Sequence, residues 1–529
     1  MRAMRDELTR SMTQLQFENL EKPYFISYLV TDNRSQSVAA QFGSALGRGD
    51  SRSREVAIEV RVGSPALDNT NFGGFGGGGG GTVRATFATD DNYDVLRRQL
   101  WLTTDRAYKA AVEQLARKKA ALQNKTRTEE LPNFSPQPPT TLTDLHPGKP
   151  IDMDQAEALV RELSTLFREA PGVANSNVAL GALEETARYV NSEGSAFVRS
   201  EFQVSFGANA STQATDGFFL DDSYRTYART WETLPTKAEL VAAVRELGQR
   251  VGAQRQASLL EQYNGPVLFE GQAAAEIFAQ VFAPLLGARP RAVGDNAGRG
   301  GGRGGGGRGG GAAENPFLDK LGARVLPDMF TVTDNATLTE LNGKPLFGDA
   351  RIDDEGVPTR AVTLVEKGRL KTLLASRAPV RGVPRSTGSL RGTNPVPSNL
   401  IVTAAEGLDA AALKAELLKL IEQRGKDYGI IVRRLAGQNA RTASVLLAVK
   451  VLPDGREEPL RNLEVAGIDA PAFKDILVAG REPYIHNAGF RGSMCSFVVP
   501  SLLFEDITLK KPAGEIGKPP IAKHPFFDR

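Results

Sequence analysis

Residues 265–287 read GPVLFEGQAAAEIFAQVFAPLLG, and the rest of the chain is understood from this stretch outward. A short apolar lead-in, Pro266-Val267-Leu268-Phe269, runs into a helical pattern from Gln272 to Ala283. Apolar residues recur at Ala274, Ile277, Phe278, Val281, Phe282 and Leu285. That three-and-four spacing predicts one buried stripe along a helix. Pro284 is predicted to end it, because its ring clashes with the carbonyl of Gln280 and it has no N–H to donate.

The same stretch resembles the metal-binding helix of the TldD/PmbA family, which is zinc-metallopeptidase-like. In that family's metal-bearing members, GPV followed by a helix of small residues carries HExxGH. Counted from Gly265, the motif falls on Ala279, Gln280, Val281, Phe282, Ala283 and Pro284. Zinc takes imidazole nitrogen, thiolate or carboxylate, and hydrolysis needs a carboxylate to accept a proton from the bound water. Alanine and proline bring no ligand atom, and a glutamine amide is no general base. The resemblance therefore implies the family's metal-free PmbA or TldE-type branch, which pairs with a metal-bearing subunit. Ala279, Gln280 and Pro284 are then vacated positions, with no catalytic residue and no cofactor in this chain; zinc belongs to a partner.

At 529 residues, a typical domain of roughly 150 residues predicts two to four domains. No run of 18 apolar residues is present, so no membrane-spanning helix is expected. Residues 1–15 are amphipathic and carry no secretory pattern, which makes a cytoplasmic location the expectation. A single cysteine, Cys495, excludes an internal disulfide, and three histidines (His146, His486, His524) are a poor supply for a metal site. The net charge is +3, yet five arginines and one aspartate within 289–311 contribute a local +4. The basic balance thus reports one loop and no general affinity for polyanions.

The first half, 1–260, is expected to be an α+β domain with long helices. Helices are predicted over 1–20, 91–123, 154–170 (with Asp154 as cap) and 237–257. Strands are predicted over 22–31, 54–62, 177–190 and 196–207, followed by a turn-rich segment to Thr230. Strands bracketed by long helices suggest this class. The glycine tract 73–81 interrupts it as a flexible loop; no lysine or helix start follows to make a phosphate cradle. Residues 126–150, rich in proline and threonine, are expected to connect without a core, with His146 exposed on that loop. Residues 191–194 (Asn-Ser-Glu-Gly) are similar to the family's NSEG turn.

The second half, 265–529, is β-rich apart from a helix over 409–424 and a Gly/Arg-rich insertion at 289–314. Strands are predicted over 325–333, 361–365, 370–374, 399–403, 429–434, 443–451, 496–499 and 502–509. Residues 353–356 (Asp-Asp-Glu-Gly) and 397–400 (Pro-Ser-Asn-Leu) are similar to the family's DDEG turn and PSNL segment, and the family's C-terminal domain is barrel-like. Asp353, Asp354 and Glu355 are better explained as turn residues before Gly356 than as a cation site. The tract GRGGGRGGGGRGGG at 298–311 has three arginines and no aromatic residue, a thin basis for RNA binding.

Three functions remain open at this level. In the first, a subunit without zinc assembles with itself or with a TldD-like paralogue and helps to process unfolded or modified peptides. It touches peptide, not membrane or nucleic acid, and offers strand edges to an extended chain. In the second, an active metallopeptidase has rebuilt its site from Cys495, His486 and a carboxylate. In the third, a scaffold or nucleic-acid-binding protein acts through the Gly/Arg loop.

Overall fold

The computed structural model describes residues 1–72, 82–123, 131–291, 315–436 and 443–512. The glycine tract at 73–81, the Gly/Arg repeat at 298–311 and His524 lie outside the described residues.

The first half opens with α1 (Arg2–Gln14) and a long hairpin, β1 (Pro23–Gln41) and β2 (Ser44–Ser64). Short strands β3 (Leu67–Asp68) and β4 (Thr82–Phe87) precede α2 (Tyr93–Gln123), β5 (Thr141–Leu145) and α3 (Met153–Thr165). Three further strands, β6 (Asn175–Asn191), β7 (Ala196–Gln213) and β8 (Phe219–Ala228), lead to α4 (Lys237–Gln254). They make one eight-stranded sheet in the order β3-β2-β1-β6-β7-β5, with β4 on β2 and β8 on β7. Inward residues alternate along β2 as Val56, Ile58, Val60 and Val62, the period of a half-buried strand. Helices α1 and α2 cover this part through Met4, Leu8, Leu100 and Tyr108. The other part, around Val178, Val204 and Phe206, lies under α3 and α4.

The second half begins with β9 (Ser258–Leu259), β10 (Gln262–Phe269), α5 (Gln272–Ile277) and β11 (Phe330–Asn335). Two small hairpins, β12 (Glu340–Leu341) with β13 (Lys344–Pro345) and β16 (Leu390–Arg391) with β17 (Asn394–Pro395), flank β14 (Ala361–Glu366) and β15 (Arg369–Leu370). Then come β18 (Asn399–Ala404), α6 (Ala410–Gln423), β19 (Gly429–Leu435) and β20 (Ala443–Val451). The last strands are β21 (Glu457–Arg461), β22 (Leu463–Ala466), β23 (Ile476–Phe490) and β24 (Ser493–Lys510). Their main sheet has twelve strands in the order β15-β14-β11-β18-β24-β10-β19-β20-β21-β9. Strand β22 pairs with both β20 and β24, so β24, β10, β19, β20 and β22 close into a ring. Closure removes edges from this part of the sheet and makes it barrel-like. Along β10 the pleat sends Val267 and Phe269 to the α5 side and Leu268 to the α6 side.

Charged side chains tie the two halves together. Arg377 is fully buried; its guanidinium donates to the Ser135 carbonyl (Nε 3.0 Å, Nη2 2.8 Å) and to Glu193 (2.8 Å). The Phe134 ring lies between Arg377 and Arg61, 3.9 and 3.8 Å from the two guanidinium carbons. Arg199 donates to Asp354 at 2.6 Å, and Arg461 to Asp216 at 2.6 Å.

Several sequence expectations need correction. The connector after α2 does carry core: Phe134 is buried, and β5 pairs in parallel with β7. Asp152, not Asp154, caps α3, accepting from the N–H groups of Asp154 and Gln155, while Asp154 faces Arg48 at the surface. The first half has eight strands because β3, β4, β5 and β8 join the four expected ones, and β1 and β2 continue through residues 32–53, where Gln36, Val38 and Ala40 give only a short inward alternation among polar residues. The segment before Thr230 contains β8, residues 325–329 precede β11, and only Leu370 of 370–374 is in a strand. The two predicted C-terminal strands are one continuous β24 through Pro500, which sits opposite Pro483 at an irregularity in the ladder.

Candidate functional site

Strand β10 lies at the centre of the twelve-stranded sheet, parallel to β19 and antiparallel to β24. Its exit is fixed by Glu270, whose N–H bonds the Val432 carbonyl, and by Gly271, whose N–H donates to Ser501 Oγ at 2.9 Å. Gly271 has φ +51, a conformation glycine takes without strain and which turns the chain sharply into α5.

Helix α5 is buried on every side, not along one stripe as the spacing suggested: Ala273, Ala274, Ala275, Glu276, Ile277, Phe278 and Ala279 are all inside. A helix apolar nearly all round belongs to an interior. Nor does Pro284 stop it. From Phe278 to Phe282 the helix widens into a π turn, in which the Ala283 N–H reaches back to Phe278 O, and a 3₁₀ turn continues through Leu285. The wider turn moves the backbone off the α register in which the proline ring would clash. Asn315 Nδ2 then takes up the carbonyls of Leu285 and Gly287 at 2.8 and 3.0 Å. Phe278 and Phe282 anchor the bend against Phe473, with ring centroids 5.7 and 5.3 Å apart, and Phe282 also meets Phe317 at 5.3 Å.

One polar row crosses this apolar helix: Gln272, Glu276 and Gln280, four residues apart. Glu276 is 7% exposed; it accepts from the Leu435 N–H at 2.6 Å and from Gln272 Nε2 at 2.8 Å. Burial pushes its pKa up to about 7, against those two hydrogen bonds and the charge of Arg434. Gln272 Oε1 accepts from the Tyr484 hydroxyl at 3.2 Å. Gln280 Nε2 donates to the Ala436 carbonyl at 3.0 Å, while its Oε1 is buried without a hydrogen-bond partner among the described residues. Beside the row, Arg434 reaches across to the first half of the chain, 3.0 Å from Asp222, which also holds Arg250 at 2.8 Å.

The vacated positions sit at the end of this row. Ala279 is buried with a methyl side chain, Gln280 is bound to the backbone through its amide, and Pro284 is in the 3₁₀ turn. This is not a zinc donor set. It offers no imidazole, thiolate or carboxylate at those three places.

Cys495 and His486 are brought one diagonal step apart on the β23–β24 ladder, where Ala488 faces Cys495 and His486 faces Phe497. Their environments differ from those of metal ligands. The Cys495 thiol is fully buried and donates to the Pro397 carbonyl at 2.9 Å. Burial, and after it the Asp334 carboxylate, hold that thiol well above the usual range, which favours the inert protonated form. His486 rests against Phe497, and the protein packed round its ring, with the charge of Arg434, pushes its pKa down to about 4. Among the described residues, no three His, Cys, Asp or Glu side chains are grouped to hold a metal ion. His146 is exposed on its loop, 3.2 Å from Asp144.

The acidic turn is formed by its own side chains. Asp353 Oδ1 accepts from the N–H groups of Glu355 and Val357, both at 2.9 Å, and Gly356 has φ +77. Its position could not be read from sequence: the turn is buried between the two halves, where Asp354 meets Arg199 and Glu355 accepts from the Arg377 N–H. Glu276 was also missed. Its signal was available, a single charge inside the run Ala273–Phe278 whose other members are all apolar.

The sequence model described as the PmbA/TldA metallopeptidase C-terminal domain matches residues 262–511. A metalloprotease of Methanocaldococcus jannaschii is 42% identical over 64 residues, which is 12% of this chain and 13% of that protein. Among solved structures, TldE of Thermococcus kodakarensis matches with a TM-score of 0.61 and 15% identity, over 96% of this chain and 99% of that one. A Thermotoga maritima protein described as a suggested modulator of a DNA gyrase matches with a TM-score of 0.59 and 16% identity, over 92% and 96%. In the first half, likeness at this identity is a likeness of fold. Among the described residues, no helix is long and apolar enough to cross a membrane.

Proposed function

The chain is a member of the TldD/PmbA family, matched by that family's own C-terminal domain, and we propose that it serves there as a peptide-handling subunit without a zinc of its own. The observation that carries the proposal is the donor set at the family's metal helix: a methyl at Ala279, a backbone-bound amide at Gln280 and a ring at Pro284. The chain assembles with itself or with a metal-bearing paralogue, and the assembly, not this helix, cleaves unfolded or modified peptides.

Within that assembly the chain supplies a wall and a strand edge. Residues 483–490 of β23 pair with β24 on one side, and among the described residues no strand pairs with their other side. Tyr484, 40% exposed and bonded to Gln272, places this edge beside the metal-position helix. An extended peptide can add to such an edge through its own backbone N–H and C=O groups, which accommodates many sequences.

The test is purification from native extract followed by peptidase and metal assays. A second chain bearing HExxGH, or a self-assembly, is expected, with chelator-sensitive cleavage only when the HExxGH chain is present. Peptide cleavage by the isolated chain, lost on chelation and restored by zinc, would overturn the proposal.

A further inference from the structure

At the far end of the β23 edge, a cleft of about 230 Å³ opens between the two halves of the chain. It is smaller than the roughly 300–1,000 Å³ of pockets that enclose a drug-sized ligand, so it suits one end of a chain. Arg391 lines it and is only 8% exposed. One of its nitrogens, Nη1, donates to the Leu390 carbonyl at 3.0 Å, whereas Nη2 is buried with no hydrogen-bond partner among the described residues. Arg199, on β7, lines the same cleft; its Nη1 and Nη2 are engaged by Ile352 O and Asp354, and its Nε is likewise buried and without a partner among the described residues. A buried guanidinium N–H left unmade is costly, and two in one cleft mark a place where an acceptor belongs.

Three of the neighbouring carboxylates are already committed, whereas Glu185 and Glu201 also line the cleft. Asp354 accepts from Arg199 and from the Gly392 N–H at 2.5 Å, Asp353 from Glu355, Val357 and Leu390, and Asp349 is bound by Arg229. Those same bonds fix the hairpin that presents Arg391, because Leu390 and Gly392 flank it and both are held by the acidic turn. The guanidinium is thus preorganised, and ordering it costs a ligand little. Glu185 also lines the cleft; burial, with Glu201 and Asp354, pushes its pKa up to about 7 in spite of Arg199. The raised value favours its neutral form, which lessens its repulsion of an anion.

We propose that this cleft is a carboxylate subsite, and that Arg391, with Arg199 beside it, takes the C-terminal carboxylate of an extended peptide lying along the free edge of β23. The inference rests on the peptide-handling function above and names the end of the substrate that is recognised. Gly489, Gly492 and Ser493 of the β23–β24 turn line the cleft. Five residues separate Tyr484 from Gly489, about 17 Å of strand, so a peptide held at its terminus would pass the metal-position helix some five residues upstream.

The experiment uses the full chain and an unstructured hexapeptide labelled at its N-terminus, as free acid and as C-terminal amide, with fluorescence anisotropy as the readout. The free acid is expected to bind about tenfold or more tightly than the amide, as a charge-assisted fork contact is lost on amidation. In Arg391→Gln the two forms should bind equally, at the wild-type amide affinity, and Arg391→Lys should recover only part of the gap. Equal binding of both forms by the wild-type chain needs no variant and overturns the subsite while leaving peptide handling intact. A gap that persists in Arg391→Gln overturns the assignment to Arg391. Inorganic phosphate alone, titrated in parallel, separates the sources: binding of phosphate that depends on Arg391, without acid–amide discrimination, makes this an inorganic-anion site and refutes the proposal. If neither peptide form binds, the peptide-handling function falls with it.

Discussion

Replacing Glu276 by glutamine should change the sign of its effect on stability between pH 4.5 and pH 8. In the unfolded chain this carboxyl titrates near 4.5, and in the folded protein burial raises it to about 7. Between those values the folded state holds a proton that the unfolded chain has released, so stability falls as pH rises and the loss is complete above the folded pKa. A separation from 4.5 to about 7 corresponds to about 3 kcal/mol, full at pH 8 and absent at pH 4.5. Glutamine removes that term, but it can accept only one of the two N–H bonds from Leu435 and Gln272, which costs about 1 kcal/mol. Glu276→Gln is therefore expected to be more stable than wild type by about 2 kcal/mol at pH 8, and up to about 1 kcal/mol less stable at pH 4.5. Urea midpoints for both proteins at the two pH values measure this. Glu185 and Asp334, both raised to about 7, titrate in the same window in both proteins, so only the difference isolates Glu276. A difference that is the same at both pH values within about 0.5 kcal/mol would refute a buried, proton-holding Glu276.

Two further expectations concern the seam and the thiol. Arg377→Ala removes a buried guanidinium that serves Ser135, Glu193 and Phe134, and should cost about 3–5 kcal/mol in denaturant unfolding; a loss below about 1 kcal/mol would show that the halves do not rely on it. Cys495 should resist an aromatic disulfide reagent in the native protein and react once on unfolding, since its thiol is buried and protonated. Fast native reaction, or zinc lost from the purified chain on Cys495→Ala, would instead support a site built on that residue.

Legibility followed the pattern of burial. Strand β20 could be read with its bounds, because Ala443–Val451 carries Val445, Val449 and Val451 in an apolar run flanked by polar residues in the sequence. The helix capped by Asp409 was equally plain, with Leu413, Leu417 and Ile421 on one face. The long arms of β1 and β2 were not, because their inward face shows only Val38 and Ala40 as apolar core residues, while Arg34 pairs Asp50 and Arg54 pairs Asp32 across the strands. Such pairs become meaningful only when the register is known, and register is a tertiary fact. The same limit hid the seam: nothing in the sequence sets Arg61, Phe134 and Arg377 side by side, yet their stacking ties the two halves.

The π turn shows how far a one-dimensional rule reaches at the metal-position helix. A proline inside a helical pattern is properly expected to break it, since the α register gives its ring no room. Here the register changes in place of the helix ending: Ala283 bonds Phe278, and Asn315, 31 residues beyond Pro284, caps the carbonyls that follow. The edge-on contact of Phe278 and the tilted contact of Phe282 with Phe473 hold that bend inside the core. Filling the three vacated positions with the motif's own residues would therefore not by itself restore a metal centre. Imidazoles at 279 and 284 would project from a widened, tightly packed turn in which Phe278, Ala279, Phe282 and Ala283 are already buried. A metal centre at this helix would need a different backbone path as well as different side chains at 279, 280 and 284.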